Sequence, residues 1–326
     1  MQLPSERESE TSQREDAVVD EEWPQVEFPF LLNAASALTY ECSGIFGASS
    51  SRVTMIFDRR CVSFPLSYSI VIHMKVACLQ LIQIFKEIFE DVGLGDDLWL
   101  HPYRVIATGA SSGVVEVICD TLSIDALKKS PGFTSLVDFF DKTYSTSPER
   151  LDIAKRSFVA SLAAYSLVCY VLFIKDRHNG NILIDAEGHI IHIDFGFILS
   201  IAPGGAFSLE SAPFKLTREM LDVMGGFESN YFKQFVRSFT SGFLALRDNS
   251  ETIVSTLGLL ATDSTFPCFL KKDKDQVLSA LKTRFRKELS VKGAIQLCLD
   301  MIMESYGNLG TGQYDSFQWL TNGIMA

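Results

Sequence analysis

The apolar residues divide the chain into a polar beginning and a body that predicts short strands and long helices. Residues 1–22 are rich in Glu, Ser, Arg and Gln, with little apolar surface to offset the entropy of ordering, which predicts a disordered acidic tail. After it, residues 28–38 favour a helix, and residues 53–57 and 69–72 favour short strands.

Helical spacing becomes clear from residue 76 onward. Leu81, Phe85, Ile88 and Phe89 recur on one helical face with charged residues between them, so residues 76–91 predict an amphipathic helix. A glycine-containing segment then separates two β-rich runs, which is typical of a hairpin. These runs are residues 103–108 and 114–118.

The second half of the chain is predicted to be mainly helical. Ser147 followed by Pro148 is a helix-start signal, and residues 158–174 are apolar enough for a helix that is buried on most sides. Residues 181–185 and 189–193 predict two short strands joined by a tight turn, and the pattern from Leu216 onward is helical.

Composition and charge narrow the class of protein. Apolar residues make up 47% and charged residues 21% of the 326-residue chain, a balance that predicts a folded body. A net charge of −11 disfavours nonspecific nucleic-acid binding. The seven cysteines form no C-x-x-C pair, no secretory signal is apparent, and the most apolar early stretch is interrupted by polar residues, so we expect a cytoplasmic protein without a membrane span.

The chemistry is concentrated in two short motifs separated by the predicted hairpin. Asp176 lies five residues before Asn181, and the hairpin then leads to Asp194-Phe195-Gly196. This order matches the kinase pattern H-R-D-x-x-x-x-N followed by D-F-G, in which an Asn and an Asp hold magnesium and another Asp serves the attacking hydroxyl. A hairpin joins its two ends, so Asn181 and Asp194 are predicted to face one magnesium site.

The triad Asp176-Arg177-His178 reverses the His-Arg-Asp order of protein kinases. It places an imidazole beside the catalytic aspartate, where His178 could act as a general base. Alternatively, His178 is a core histidine that holds the loop in shape while Asp176 orients the hydroxyl. Protein kinase activity is a further alternative, but the reversed triad and the absence of A-P-E after D-F-G disfavour it.

Residues 169–199 resemble the catalytic and magnesium-binding loops of phosphatidylinositol 3- and 4-kinases. Within that superfamily, the 4-kinases of the type III beta class are the most similar, and the resemblance extends from about Val76 to the C-terminus. The segments that favour this class are Asn179-Gly180-Asn181, Ala212-Pro213-Phe214-Lys215-Leu216-Thr217, Val223-Met224-Gly225-Gly226 and residues 314–324.

The resemblance implies a two-lobed α+β fold like that of protein kinases, with ATP and Mg²⁺ as cofactors. It assigns residues 23–118 to a small lobe that is incomplete or divergent and residues 119–326 to a mainly helical large lobe. Val115, Glu116 and Ile118 would form the adenine-binding hinge; alternatively, they belong to an ordinary edge strand.

The loop after D-F-G, which includes Phe197 and Ile198, is where the resemblance places the lipid head group. It contains no Lys or Arg as far as residue 214, which favours plain phosphatidylinositol, phosphorylated at the 4-position, over a multiply phosphorylated lipid. Lys215 and Arg218 follow it and could meet the bridging phosphate or the membrane; alternatively, they are ordinary surface charges.

Membrane association is expected to be peripheral, and the resemblance implies an intracellular, Golgi-type membrane. Phe317, Trp319 and Leu320 could form an interfacial anchor near the C-terminus. Alternatively, these side chains pack in the core.

The pattern breaks where a kinase needs a small-lobe lysine on the phosphates. The resembled family has a strand ending in Lys before an acidic run that opens the helix, whereas this chain has Lys75 adjoining the helix, where it is expected to be poorly placed to substitute. Residues 43–50 are a weak alternative phosphate loop, or a flexible linker. Two explanations stay open, a divergent small lobe or an upstream segment from a different exon arrangement. The competing hypothesis is an impaired, kinase-like binding or scaffold module.

Overall fold

The computed structural model describes residues 52–57, 60–65, 69–109, 112–199, 201–205, 208–262, 264, 267–270 and 273–326. The predicted tail, the predicted helix at 28–38 and the candidate loop at 43–50 lie outside these residues. No helix within the described ranges has the length and apolar character that crossing a bilayer requires.

Two small sheets accompany the helices. The strands are β1 (Arg52–Phe57), β2 (Arg60–Pro65), β3 (Val105–Gly109), β4 (Ser112–Glu116), β5 (Leu122–Ser123), β6 (Ile182–Ile184) and β7 (Ile190–His192). The first sheet has the order β2-β1-β4-β3 and is antiparallel except for the β1–β4 pair. The second is antiparallel, with the order β5-β6-β7.

Helices account for most of the remaining described chain, which agrees with the predicted α+β class. They are α1 (Ser69–Asp91), α2 (Ile124–Lys129), α3 (Leu136–Tyr144), α4 (Pro148–Val171), α5 (Arg218–Val223), α6 (Asn230–Asp248), α7 (Ser250–Leu260), α8 (Pro267–Leu270), α9 (Lys274–Arg284), α10 (Val291–Ser305) and α11 (Leu309–Asn322). The division into lobes at residue 118 stays a prediction.

Helix α4 forms the centre of the core. Its start is confirmed, because the Ser147 side chain accepts a hydrogen bond from the Arg150 N–H, and Pro148 stands in the first turn. Most of its side chains are buried, as its continuous apolar sequence predicted. Helix α6 packs closely against it because Gly242 has no side chain: an added Cβ would lie 2.6 Å from the Leu167 Cδ1 atom.

Helix α1 corrects one prediction. Residues 69–72, predicted as a strand, form the first turn of this helix. Their β-branched residues favour a strand locally, but Met74, Cys78, Leu81 and Phe85 continue the helical spacing and are fully buried. The helix packs against β3 and β4 as well as against α6 and α7, so it joins the first sheet to the helical core.

The predicted hairpin after Asp176 is confirmed as β6 and β7. Its first strand starts one residue later than predicted, because residues Asn179–Asn181 form a single 3₁₀ turn closed by the Asn181 N–H and the His178 carbonyl, 3.0 Å apart. The tight turn is stabilised by Asp185, whose carboxylate accepts from the backbone N–H groups of Glu187 and His189 at 3.0 and 2.8 Å.

Gly188 in this turn should be intolerant of a side chain. Its φ is +89°, and an added Cβ would lie 2.8 Å from the Ala154 carbonyl oxygen on α4. We therefore expect Gly188→Ala to lower the free energy of unfolding by about 1–3 kcal/mol, measured by urea denaturation. Gly312→Ala is the matched control, because that helical position has open space, and it should be stabilising by about 0.5–1 kcal/mol. Equal effects of the two changes would contradict the prediction.

Candidate functional site

Arg177 connects the Asp176-Arg177-His178 motif to the D-F-G segment by hydrogen bonds. The guanidinium is buried, and its Nη1 and Nη2 groups donate to the carbonyl oxygens of Ile193 at 2.8 Å and Asp194 at 2.5 Å. Its Nε group donates to the Lys175 carbonyl at 3.1 Å. With its donors directed at backbone carbonyls, Arg177 positions the loop around Asp176 against the D-F-G segment.

The Asp176 backbone is held by a residue that the sequence argument missed. Both the Asp176 and Arg177 N–H groups donate to the Glu210 carboxylate, at 2.5 Å to Oε2 and 3.0 Å to Oε1. Asp176 has a φ of +68°, a conformation that L-residues seldom adopt without support from their surroundings. A signal was present, since Glu210 is the one charged residue in the loop between Phe197 and Phe214.

The Asp176 side chain faces the C-terminal helix. The Tyr314 hydroxyl on α11 donates to Asp176 Oδ1, and the Gln318 amide donates to that hydroxyl at 2.6 Å. Asn179 also donates to the Met325 carbonyl, at 2.8 Å. The C-terminal residues therefore cover one side of the loop around Asp176, a contact that the sequence pattern did not predict.

His178 lies beside Asp176, as predicted, with its Nε2 atom 3.7 Å from Asp176 Oδ1. Its Nδ1 atom accepts from the Gly180 N–H at 3.1 Å, so the neutral ring carries its proton on Nε2, toward the carboxylate. Burial lowers the pKa of His178, which favours this neutral form. In this arrangement neither ring nitrogen is free to take a proton, which favours the interpretation that His178 holds the loop while Asp176 serves the hydroxyl.

Asn181 and Asp194 come together at the base of the hairpin. The Ile193 N–H donates to the Asn181 carbonyl at 3.0 Å, so Asp194 directly follows the pair that closes the hairpin. The Asn181 amide nitrogen donates to the Asp176 carbonyl at 2.9 Å, which leaves the side-chain oxygen for a ligand. A carboxylate and an amide oxygen are ligands that Mg²⁺ accepts, so the residues present fit a magnesium ion.

The position of Lys75 differs from the prediction, which held that this lysine is poorly placed to reach the phosphate site. Its Nζ atom lies 3.0 Å from Asp194 Oδ1, and its side chain is only 17% exposed, compared with 49% for that of Asp194. The Lys75 ammonium lowers the pKa of Asp194, so this carboxylate is charged at neutral pH. The error arose because residues 69–72 belong to the helix, which directs this lysine toward D-F-G.

The predicted hinge residues lie at the end of β4 and beyond it. Because β4 is flanked by β1 and β3, the alternative of an ordinary edge strand is wrong. The Glu116 N–H donates to the Arg104 carbonyl at 2.8 Å, while the Ile118 carbonyl accepts from the Thr121 hydroxyl at 2.9 Å. Val115 is half-buried at this end of the strand, and the assignment of these residues to an adenine-binding hinge stays a prediction.

The predicted substrate loop is only partly accessible. Phe197 is half-buried, and Ile198 is buried in the core. Lys215 is buried as well, and its Nζ atom lies 2.6 and 2.8 Å from the two carboxylate oxygens of Asp315 on α11. The alternative of an ordinary surface charge is therefore wrong for Lys215, whereas Arg218 is exposed.

Comparison with known proteins identifies the family of this chain. A family model described as phosphatidylinositol 3- and 4-kinase matches residues 72–269, more than half of the chain. The chain is 46% identical over 251 residues to phosphatidylinositol 4-kinase beta 2 of Arabidopsis thaliana, an alignment that covers 76% of this chain and 22% of that protein.

Two other relatives agree. Phosphatidylinositol 4-kinase of Dictyostelium discoideum is 42% identical over 265 residues, covering 79% of this chain and 22% of that protein. Phosphatidylinositol 4-kinase beta of Xenopus laevis is 40% identical over 228 residues, covering 70% and 28%. The chain thus spans between 22% and 28% of the length of these three relatives. It belongs to the phosphatidylinositol 3- and 4-kinase family.

Proposed function

We propose that this chain carries the site that transfers the γ-phosphate of ATP to the 4-hydroxyl of phosphatidylinositol. The observation that carries the proposal is the junction of the two motifs: Asn181 donates to the Asp176 carbonyl, and Arg177 donates to the carbonyl of Asp194. These backbone contacts hold the two motifs beside each other, which supports the proposal because phosphoryl transfer requires an Asn and an Asp for magnesium and a further residue at the attacking hydroxyl.

Each residue then has a defined role. Asn181 and Asp194 would hold magnesium, which supplies neutralisation of the negative charge on the phosphates when it is bound. Asp176 would orient the inositol hydroxyl and accept its proton, with its backbone held by Glu210. Glu116 and Ile118 would bind the adenine through backbone groups.

We propose phosphatidylinositol without further phosphates as the substrate because the substrate loop offers few cations to bind them. The loop has no Lys or Arg of its own. The ammonium of Lys175 donates to the Ala212 carbonyl at 2.9 Å, and that of Lys215 is paired with Asp315. Both lysines are buried, so neither presents a free cation to a further phosphate.

Access to a lipid would come from peripheral association with an intracellular, Golgi-type membrane. On α11, the side chains of Phe317, Trp319 and Leu320 are 49%, 54% and 74% exposed, so the alternative that they pack in the core is wrong. Exposed aromatic and aliphatic residues on one helix suit the boundary between headgroups and acyl chains.

The test is turnover by the purified chain with radiolabelled ATP and vesicles containing phosphatidylinositol, followed by chromatography that distinguishes the phosphorylated positions. The proposal expects label in phosphatidylinositol 4-phosphate and none with vesicles that lack phosphatidylinositol. Label at another position, or preference for an already phosphorylated lipid, would refute the assignment. ATP binding without lipid labelling would favour the scaffold hypothesis.

Glu210 provides a test of how the loop is positioned. In Glu210→Gln, an amide NH₂ replaces one of the two oxygens that accept from Asp176 and Arg177, so one backbone N–H loses its acceptor. We expect kcat to fall about tenfold to a hundredfold, with a small change in KM for ATP. Glu228→Gln, at an exposed position, is the matched control. A wild-type kcat in Glu210→Gln would show that this contact does not position Asp176.

A further inference from the structure

Lys75 is directed toward the proposed magnesium site from helix α1. Its neighbours along the helix, Met74 and Cys78, are fully buried, so the helix backbone at this point is fixed against the core. The lysine side chain extends from this fixed backbone to Asp194, with 3.0 Å between Nζ and Oδ1. An ammonium group has three donors, and within the described ranges Asp194 is the acceptor that it contacts.

The position of the Lys75 ammonium also places it within reach of a nucleotide bound beside Asp194. Magnesium held by Asp194 would bring the phosphates of a bound nucleotide close to this carboxylate. The Lys75 ammonium occupies the same neighbourhood, and its flexible four-carbon stem allows the short movement from carboxylate to phosphate.

A second cation in contact with the D-F-G segment has no such freedom. Arg177 is buried and donates to the carbonyls of Lys175, Ile193 and Asp194. Lys75, by contrast, contacts a carboxylate whose side chain is half-exposed. Of these two cations, it is the one that can exchange its partner when a nucleotide enters.

We propose that Lys75 is the phosphate-binding lysine of this chain, supplied by helix α1 where the resembled family supplies it from a strand. The inference rests on the proposed function, because it presupposes that ATP binds beside Asp194. Without nucleotide, Lys75 pairs with Asp194. With magnesium and ATP, Asp194 would bind the metal, and Lys75 would donate to phosphate oxygens.

The Lys75–Asp194 contact allows two interpretations, and they predict opposite effects of removing Lys75 on the binding of magnesium-ATP. If Lys75 were only a substitute for magnesium, its ion pair with Asp194 would compete with the metal, and its removal would tighten binding of magnesium-ATP. If it binds phosphate, its removal weakens ATP binding and leaves adenosine binding unchanged, because adenosine has no phosphates. The two effects have opposite signs.

The experiment is calorimetric titration of the full chain and its Lys75→Met variant with magnesium-ATP and, separately, with adenosine. We expect Lys75→Met to weaken magnesium-ATP binding about tenfold to a hundredfold and to leave adenosine binding within about twofold. Lys75→Arg should recover most of the affinity, because it keeps the charge. Lys86→Met is the matched control on the same helix, where the lysine is 38% exposed and pairs with Glu90.

Unchanged or tighter magnesium-ATP binding by Lys75→Met would overturn the inference, as would an equal loss of adenosine affinity, which would indicate local misfolding. A wild-type chain that binds ATP no more tightly than adenosine would overturn it too. These results are separate from the test of the proposed function. A chain that shows the expected Lys75 effect but labels no lipid would refute the lipid kinase proposal alone.

Discussion

Replacing Asp194 by asparagine is expected to reduce phosphoryl transfer to phosphatidylinositol by on the order of a thousandfold or more. The change keeps the size of the side chain and removes the negative charge that would hold magnesium. The Lys75 ammonium also loses its ionic partner, 3.0 Å away. Initial rates at saturating lipid, with magnesium varied over a wide range, measure the effect.

Folding should be nearly unaffected by Asp194→Asn, because an ion pair with a half-exposed carboxylate contributes only about 0–1 kcal/mol. A wild-type circular dichroism spectrum and unfolding midpoint would separate lost chemistry from lost structure. Asp248→Asn is the matched control, since that carboxylate is exposed near the end of α6. Turnover within about tenfold of wild type in Asp194→Asn would contradict the magnesium role.

The largest loss of stability should come from Lys215→Met. Lys215 and Asp315 form a buried pair whose side chains are 3% and 10% exposed, and Asp315 belongs to α11. Removing the ammonium leaves a buried carboxylate without its counter-ion, so we expect the free energy of unfolding to fall by about 3–5 kcal/mol. Urea denaturation followed by circular dichroism measures this loss.

Two further variants serve as controls for Lys215→Met. Lys282→Met removes a lysine that is 55% exposed and lies 3.7 Å from Glu251, and it should cost at most about 1 kcal/mol. Adding Asp315→Leu to Lys215→Met removes the stranded charge, so the double variant should be more stable than the single one. If the free energy of unfolding of Lys215→Met lies within about 0.5 kcal/mol of the wild-type value, the pair does not stabilise the fold.

The pair also connects stability with the proposed chemistry. Asp315 is adjacent to Tyr314, whose hydroxyl donates to the Asp176 carboxylate. Detaching this part of α11 should therefore disturb the loop around Asp176 before the whole chain unfolds. Lys215 is therefore connected to the loop around Asp176 through α11.

Local sequence was sufficient where a feature depends on neighbouring residues. The hairpin of β6 and β7 was predicted from its turn and its two β-rich runs, and α4 from its cap and its continuous apolar sequence. The order of Asp176, Asn181 and Asp194 indicated the proposed chemistry, because a hairpin brings its two ends together. It failed at residues 69–72, where burial of one helical face outweighed strand propensity.

The sequence by itself thus determined the family and the residues that the proposed reaction would use. Only the tertiary structure revealed their supports: Glu210 lies 34 positions from Asp176 and Tyr314 lies 138 positions from it, while Lys75 reaches Asp194 from another helix. A motif records spacing along the chain, whereas these contacts depend on how α1, the substrate loop and α11 pack around one core. No local periodicity encodes that packing, because side chains distant in sequence meet only after the apolar faces of their elements are buried together.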